Sequence, residues 1–246
     1  MSAPLVAPTR RIFELTLGEL LARRTAFVAI AAGAPVLLAI VARLALASGT
    51  ATFVVNGNRL DTESMFGTVV SVLYLRFVVP ALGLFYGTSL IADEVEEKTI
   101  TYLFVRPIAR GAVVLGKYLA YLVCALAFVL PSAALVFAIM VPFADMGMLF
   151  GPLLRDLGMI ALGLVAYGAV FLLVGVVFKR PLVGGLVFIF GWEPMASVLP
   201  GYLGQFTIAH YVQATPSAAA SLLVVTIAAL AAAMRIVEQR EYILEQ

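Results

Sequence analysis

Residues Thr88 to Lys117 read T-S-L-I-A-D-E-V-E-E-K-T-I-T-Y-L-F-V-R-P-I-A-R-G-A-V-V-L-G-K. Asp93, Glu94, Glu96, Glu97 and Lys98 crowd the first third of this stretch, and Arg106, Arg110 and Lys117 follow. Long apolar runs flank it on both sides. A charge at the centre of a bilayer costs at least about 2.5 kcal/mol, so a dense charged insert between two such runs has to lie outside the hydrocarbon. It must face solvent or another protein.

The composition outside this insert agrees. The 246 residues are 63% hydrophobic and 12% charged, with a mean hydropathy of +1.08. A soluble domain carries about 25% charged residues. Half that charge, together with apolar runs of more than eighteen residues, identifies a polytopic membrane protein. The net charge of +2 is too small to imply a nucleic-acid partner. The single cysteine, Cys124, lies in an apolar run, so an intrachain disulfide is impossible. Neither low-complexity sequence nor an internal repeat is present.

Hydropathy predicts an all-α bundle of six transmembrane helices, at about 25–47, 65–91, 113–141, 157–178, 182–199 and 218–234. Before them, residues 1–24 are too polar to span. Thr9 would cap a helix whose broad face carries Ile12, Phe13, Leu17, Leu20 and Leu21, with Arg10, Arg11, Arg23 and Arg24 supplying charge. Such a helix lies in the membrane interface. Ala45-Leu46-Ala47 looks like a signal-peptidase site, but the apolar core is too long and Arg43 sits just before it, so residues 25–47 are expected to stay as a span. Phe143 to Arg155 reads as a short connection. Residues 200–217 are apolar but broken by Gly201, Gly204 and Pro216, which suits a re-entrant or interfacial segment. Residues 25–246 thus form one transmembrane domain, with a loop at 92–112.

Basic residues set the orientation. Arg10, Arg11, Arg23, Arg24, Lys98, Arg106, Arg110, Lys117, Lys179, Arg180, Arg235 and Arg240 fall on one side, and only Arg59 and Arg155 on the other. Cytoplasmic segments carry the excess of Lys and Arg. Both termini and the 92–112 loop are therefore expected in the cytoplasm, with Asn56 and His210 outside.

The order of residues in the loop resembles the cytoplasmic loop between the second and third helices of type-2 ABC transporter permeases. That pattern runs Glu, a few residues, Thr, an apolar turn, Pro, two residues, Arg, then Gly-Lys. Here it falls on Glu94 or Glu96, Thr99, Leu103, Pro107, Arg110, Gly116 and Lys117, and Lys98 stands where the family often has Gly. The resemblance implies the membrane-spanning subunit of an exporter in the cell membrane. It implies a second permease chain, alike or a sister, and two cytoplasmic ATPase subunits that bind ATP and Mg. It also implies an N-terminal helix that touches the ATPase, and an ATPase contact at Glu94, Glu96, Glu97, Thr99, Leu103, Phe104, Arg106, Pro107 and Arg110. Pro107 should end a short helix begun near Thr99. Ile100, Leu103 and Phe104 would then serve as apolar anchors inside a charged rim.

No catalytic or metal-binding constellation stands out. Gly111 to Lys117, G-A-V-V-L-G-K, matches the glycines and lysine of a phosphate-binding loop. Tyr118 follows where such a site needs Ser or Thr, and no strand precedes it. The match is a coincidence of spacing, so the chain is expected to have no ATP site of its own, and if ATP drives it a separate subunit must supply the site. His210 is the only histidine, and no metalloprotease, serine-hydrolase or Cys/His motif is present. Two charges fall deep within predicted spans, Arg76 in the second and Glu193 in the fifth. Such residues either line a substrate path or pair to lock helices together, and a direct Arg76–Glu193 ion pair is one expectation. The rival class is a membrane protein without an ATPase, either a small secondary carrier or a scaffold. Such carriers often show repeated halves, and this chain shows none.

Overall fold

Proline and size decide where the helices begin, end and touch. A computed structural model of the chain describes residues 6–23, 25–48, 54–55, 58–59, 62–90, 110–178, 180–193, 195, 207–208 and 218–239. Within these residues, five helices are long and apolar enough to cross a membrane: Ala26–Ala47, Met65–Leu90, Gly111–Met140, Met146–Val177 and Ala219–Gln239. They are called below the first, second, third, fourth and last spans. The fold is all-helical, apart from a two-residue antiparallel ladder that pairs Val54 with Arg59 and Val55 with Asn58. Asn56-Gly57, a dipeptide that favours tight turns, falls between its strands in the sequence.

The expected fifth span is described only as the short apolar helix Pro181–Trp192. At ~1.5 Å per residue this described part is about 18 Å long, against a core of about 30 Å. Its expected continuation and most of the 200–217 segment lie outside the described residues. Thr207 and Ile208 are described, and both are buried.

Two boundaries differ from the sequence expectation. The N-terminal helix runs Val6–Arg23, so Thr9 lies inside it rather than capping it. The fourth span begins at Met146, not near Leu157. Pro142 has no N–H and disfavours helix in the residue before it, so the third span ends at Met140. The Asp145 N–H then closes a turn on the Pro142 carbonyl at 3.0 Å, and the Leu149 N–H bonds the Asp145 carbonyl at 3.0 Å. Residues 146–155, read as a connection, are therefore helix.

The second span is not regular. Val70–Val78 and Gly83–Gly87 are wound wide, as π-helix, on either side of Val79–Leu82. The Val79 N–H reaches the Tyr74 carbonyl, five residues back. Pro80 supplies no N–H to the turn before it, and a shift in hydrogen-bond register is a usual response. A third wide stretch, Val187–Trp192, ends with the Glu193 N–H on the Phe188 carbonyl, directly before Pro194 in sequence.

The second and fourth spans form the centre of the bundle. A Cβ added at Gly83 would come within 2.8 Å of Tyr167 Cβ, one at Gly87 within 2.9 Å of Phe171 Cβ, and one at Gly175 within 2.5 Å of the Thr88 carbonyl oxygen. In lipid, helices associate through close van der Waals contact, which small residues permit. Tyr74, Leu82, Tyr167 and Phe171 fill the space around this seam and are fully buried.

Candidate functional site

The third span opens with the same Gly111 to Lys117 segment that imitates a phosphate loop. In the structure these residues are helix-packing devices. A Cβ at Gly111 would meet Met234 Sδ and Glu238 Oε1 of the last span, each at 3.5 Å. One at Gly116 would lie 2.8 Å from the Thr9 carbonyl oxygen and 3.0 Å from Ile12 of the N-terminal helix. Lys117 Nζ donates to the Leu90 carbonyl at 2.7 Å. Ala112, Val113 and Val114 between them are buried. Two turns of one helix thus hold the N-terminal helix, the last span and the second span together.

The Lys117 bond has a clear electrostatic cause. A backbone carbonyl oxygen carries partial negative charge, and an ammonium group is a charge-assisted donor to the one at Leu90. Lys117 is only 7% exposed and Leu90 is buried too, so the bond is shielded from water. Two residues earlier, Thr88 Oγ1 donates back to the Leu84 carbonyl, and the Thr88 backbone lies against Gly175 of the fourth span. The two feet of the charged 92–112 loop are therefore clamped to each other and to the fourth span.

Glu94, Glu96, Glu97, Thr99, Leu103, Phe104, Arg106 and Pro107 lie outside the described residues. Arg110 begins the third span's helix.

A second polar region lies deeper. Glu193, 8% exposed, accepts a 2.6 Å hydrogen bond on Oε1 from the Tyr167 hydroxyl. Tyr167 stacks on Phe171 with ring centroids 6.0 Å apart, and Phe171 meets Phe188 edge to face. Arg76 lies on the exposed side of the second span. Tyr167 of the fourth span is thus one partner of the Glu193 carboxyl group.

Other tyrosines tie helices in the same manner. Tyr118 and Tyr121 of the third span donate to the Val165 and Leu164 carbonyls of the fourth, at 2.8 and 3.2 Å. Tyr74 and Ser132 share a 2.7 Å hydrogen bond, and Ser132 Oγ also donates to the Ala32 carbonyl of the first span. Sequence reading missed all of these. Tyrosine carries no charge, so a search for buried charges passes over it. The available signal was nine tyrosines in so apolar a chain, since a buried hydroxyl needs a partner.

A family model described as "ABC-2 family transporter protein" matches residues 21–192. The matched stretch runs from the end of the N-terminal helix through the clamp and the central seam to Trp192. No curated protein matches the chain.

Proposed function

The chain belongs to the ABC-2 family of transporter proteins and is a multi-pass membrane permease of an ABC transporter, and we propose that it works as an exporter driven by separate ATPase subunits docked on its 92–112 loop. The ATP and Mg would be bound by those subunits, two per complex. A second permease chain, alike or a sister, completes the assembly in the cell membrane, with both termini cytoplasmic.

One observation carries this reading: the Lys117–Leu90 clamp joins both feet of the loop at the base of the bundle. A loop hung from two independent helices would flex when pushed. A loop whose feet are bonded to each other, and packed against the N-terminal helix, the last span and Gly175, passes a push on to the helices. That is the mechanical requirement for coupling ATP-driven closure of a partner to movement in the membrane. The polarity of the loop, acidic at its start and basic at its end, can orient the partner by charge.

The test is co-purification of the ATPase with variants of the loop. Docking surfaces depend on a few buried anchors more than on rim charges. Phe104→Asp and Leu103→Asp should each weaken capture by about 30-fold, the effect of losing a strong anchor worth about 2 kcal/mol. Glu96→Lys should weaken it less, with the loss fading at high salt as rim charges are screened. Wild-type capture and ATP hydrolysis by both aspartate variants would rule this loop out and move the search to the N-terminal helix. Capture of no ATPase by the wild-type chain would favour a carrier without one.

A further inference from the structure

The Glu193–Tyr167 pair joins the central seam, through Tyr167, to the end of the short helix Pro181–Trp192, and its depth is unusual for a carboxylate. Glu193 lies twelve residues beyond Pro181 and Tyr167 ten before Val177. At ~1.5 Å per residue these are about 18 and 15 Å along two helices that start from the same connection. Both groups therefore sit near the middle of a core about 30 Å thick. We propose that this pair is a membrane-embedded recognition site for cationic, apolar substrates such as lipophilic amines and organic cations. The inference rests on the permease reading and names the substrate class for it.

Four features support the assignment. The 2.6 Å bond from the Tyr167 hydroxyl fixes the position of the Glu193 carboxyl group. An anion held near mid-membrane attracts a cation far more strongly than one in water, because the surroundings screen so little. The neighbourhood is aromatic as well as acidic: Tyr167, Phe171 and Phe188 follow one another in ring contact. Aromatic faces bind cations, and their apolar bodies suit a hydrophobic ligand. Glu193 also terminates the wide-wound stretch Val187–Trp192, and wide turns of this kind occur often at functional positions.

The chain carries its own reporter. Trp192, beside Glu193, is its single tryptophan. The purified chain in detergent, without any ATPase, is titrated with tetraphenylphosphonium while Trp192 emission is followed. Tetraphenylborate, of similar size and opposite charge, serves as the control. The phosphonium should change the emission saturably, and the borate should neither do so nor compete. Glu193→Gln should raise the phosphonium midpoint at least about tenfold, a loss of about 1.4 kcal/mol. Tyr167→Phe, which keeps the charge but removes its hydrogen bond, should raise it about threefold, roughly half that energy. An unchanged midpoint in Glu193→Gln, or equal response to the borate, would overturn the proposal. So would an unaltered midpoint in Tyr167→Phe. Because the assay contains only this chain, its failure would leave the ATPase reading standing, and failure of ATPase capture would leave the cation site standing.

Discussion

The seam between the second and fourth spans and the edge formed by the first span are built from equally apolar sequence, yet they pack in opposite ways. Of the eighteen most apolar residues of the fourth span, 61% are buried, against 22% in the first. In the seam, Gly83, Gly87 and Gly175 bring one helix against the backbone or Cβ atoms of the other. In the first span, Val28, Ala32, Pro35 and Ala39 make a buried stripe, and Ile30, Leu37, Val41 and Leu44 make an exposed one. Both stripes are apolar, so polarity cannot tell the inside from the outside. In this span size separates them: the buried stripe is of small side chains, which permit close contact between helices, and the exposed one of large side chains. The last span is mixed: Ala229 and Ala233 are buried and Val224 and Ile227 exposed, but Leu222 and Val237 are buried as well.

The contrast breaks most visibly if a glycine is filled. Gly175→Leu would put a side chain against the Thr88 carbonyl, a backbone atom that cannot swing away. Overpacking of this kind should cost about 3 kcal/mol, the upper part of its usual range. Gly33→Leu in the first span meets nothing within 4 Å and should leave stability unchanged or slightly higher, since leucine is the better helix former. Thermal melting of the two variants in detergent decides it. Equal melting temperatures would show that the seam is no tighter than the edge.

Lys117 sharpens the comparison at the end of the seam. Lys117→Met keeps the stem and removes the ammonium from the Leu90 carbonyl. A hydrogen bond to a charged group contributes about 1.5–3 kcal/mol, and the orphaned carbonyl costs more when buried. A loss of about 2 kcal/mol is expected. The functional effect should be selective, with ATPase capture retained and the transport obtained per ATP reduced. A proportional loss of capture and transport would mean that Lys117 only supports the fold.

Much of this was legible in the sequence, and what was not has physical causes. Four spans fell close to their expected positions, because twenty apolar residues are a strong signal. The fourth was placed eleven residues late, because Arg155, Asp156 and Pro152 resemble a connection although the turn is made by Pro142. Gly116 and Lys117 were singled out as part of a pattern. Their work was not readable, since a lysine bonded to a carbonyl twenty-seven residues away leaves no local trace. Glu193 was found because a charge in a span is conspicuous. Tyr167, its partner, was not, because a hydroxyl scarcely moves hydropathy. Which face of each span turns inward was likewise hidden from any scale that counts only polarity.

The smallest effect tests how the edge is tied to the centre. The first span is held partly by rings, with Phe27 meeting Phe85 edge to face at 4.7 Å. It is held also by Ser132 of the third span, which donates to the Ala32 carbonyl while sharing a hydrogen bond with Tyr74 of the second. Hydrogen bonds between helices in membrane proteins average about 0.6 kcal/mol and reach about 1.7. Ser132→Ala removes both bonds at once, and Tyr74→Phe removes only the second. Ser132→Ala should therefore cost about 1 kcal/mol and Tyr74→Phe about half of that. The double variant should melt close to Ser132→Ala alone, because the bond that Tyr74→Phe deletes is already gone. Full additivity of the two losses would mean that Tyr74 and Ser132 act on separate partners. The polar link from the first span would then end at Ser132 of the third span and not continue to Tyr74 of the second.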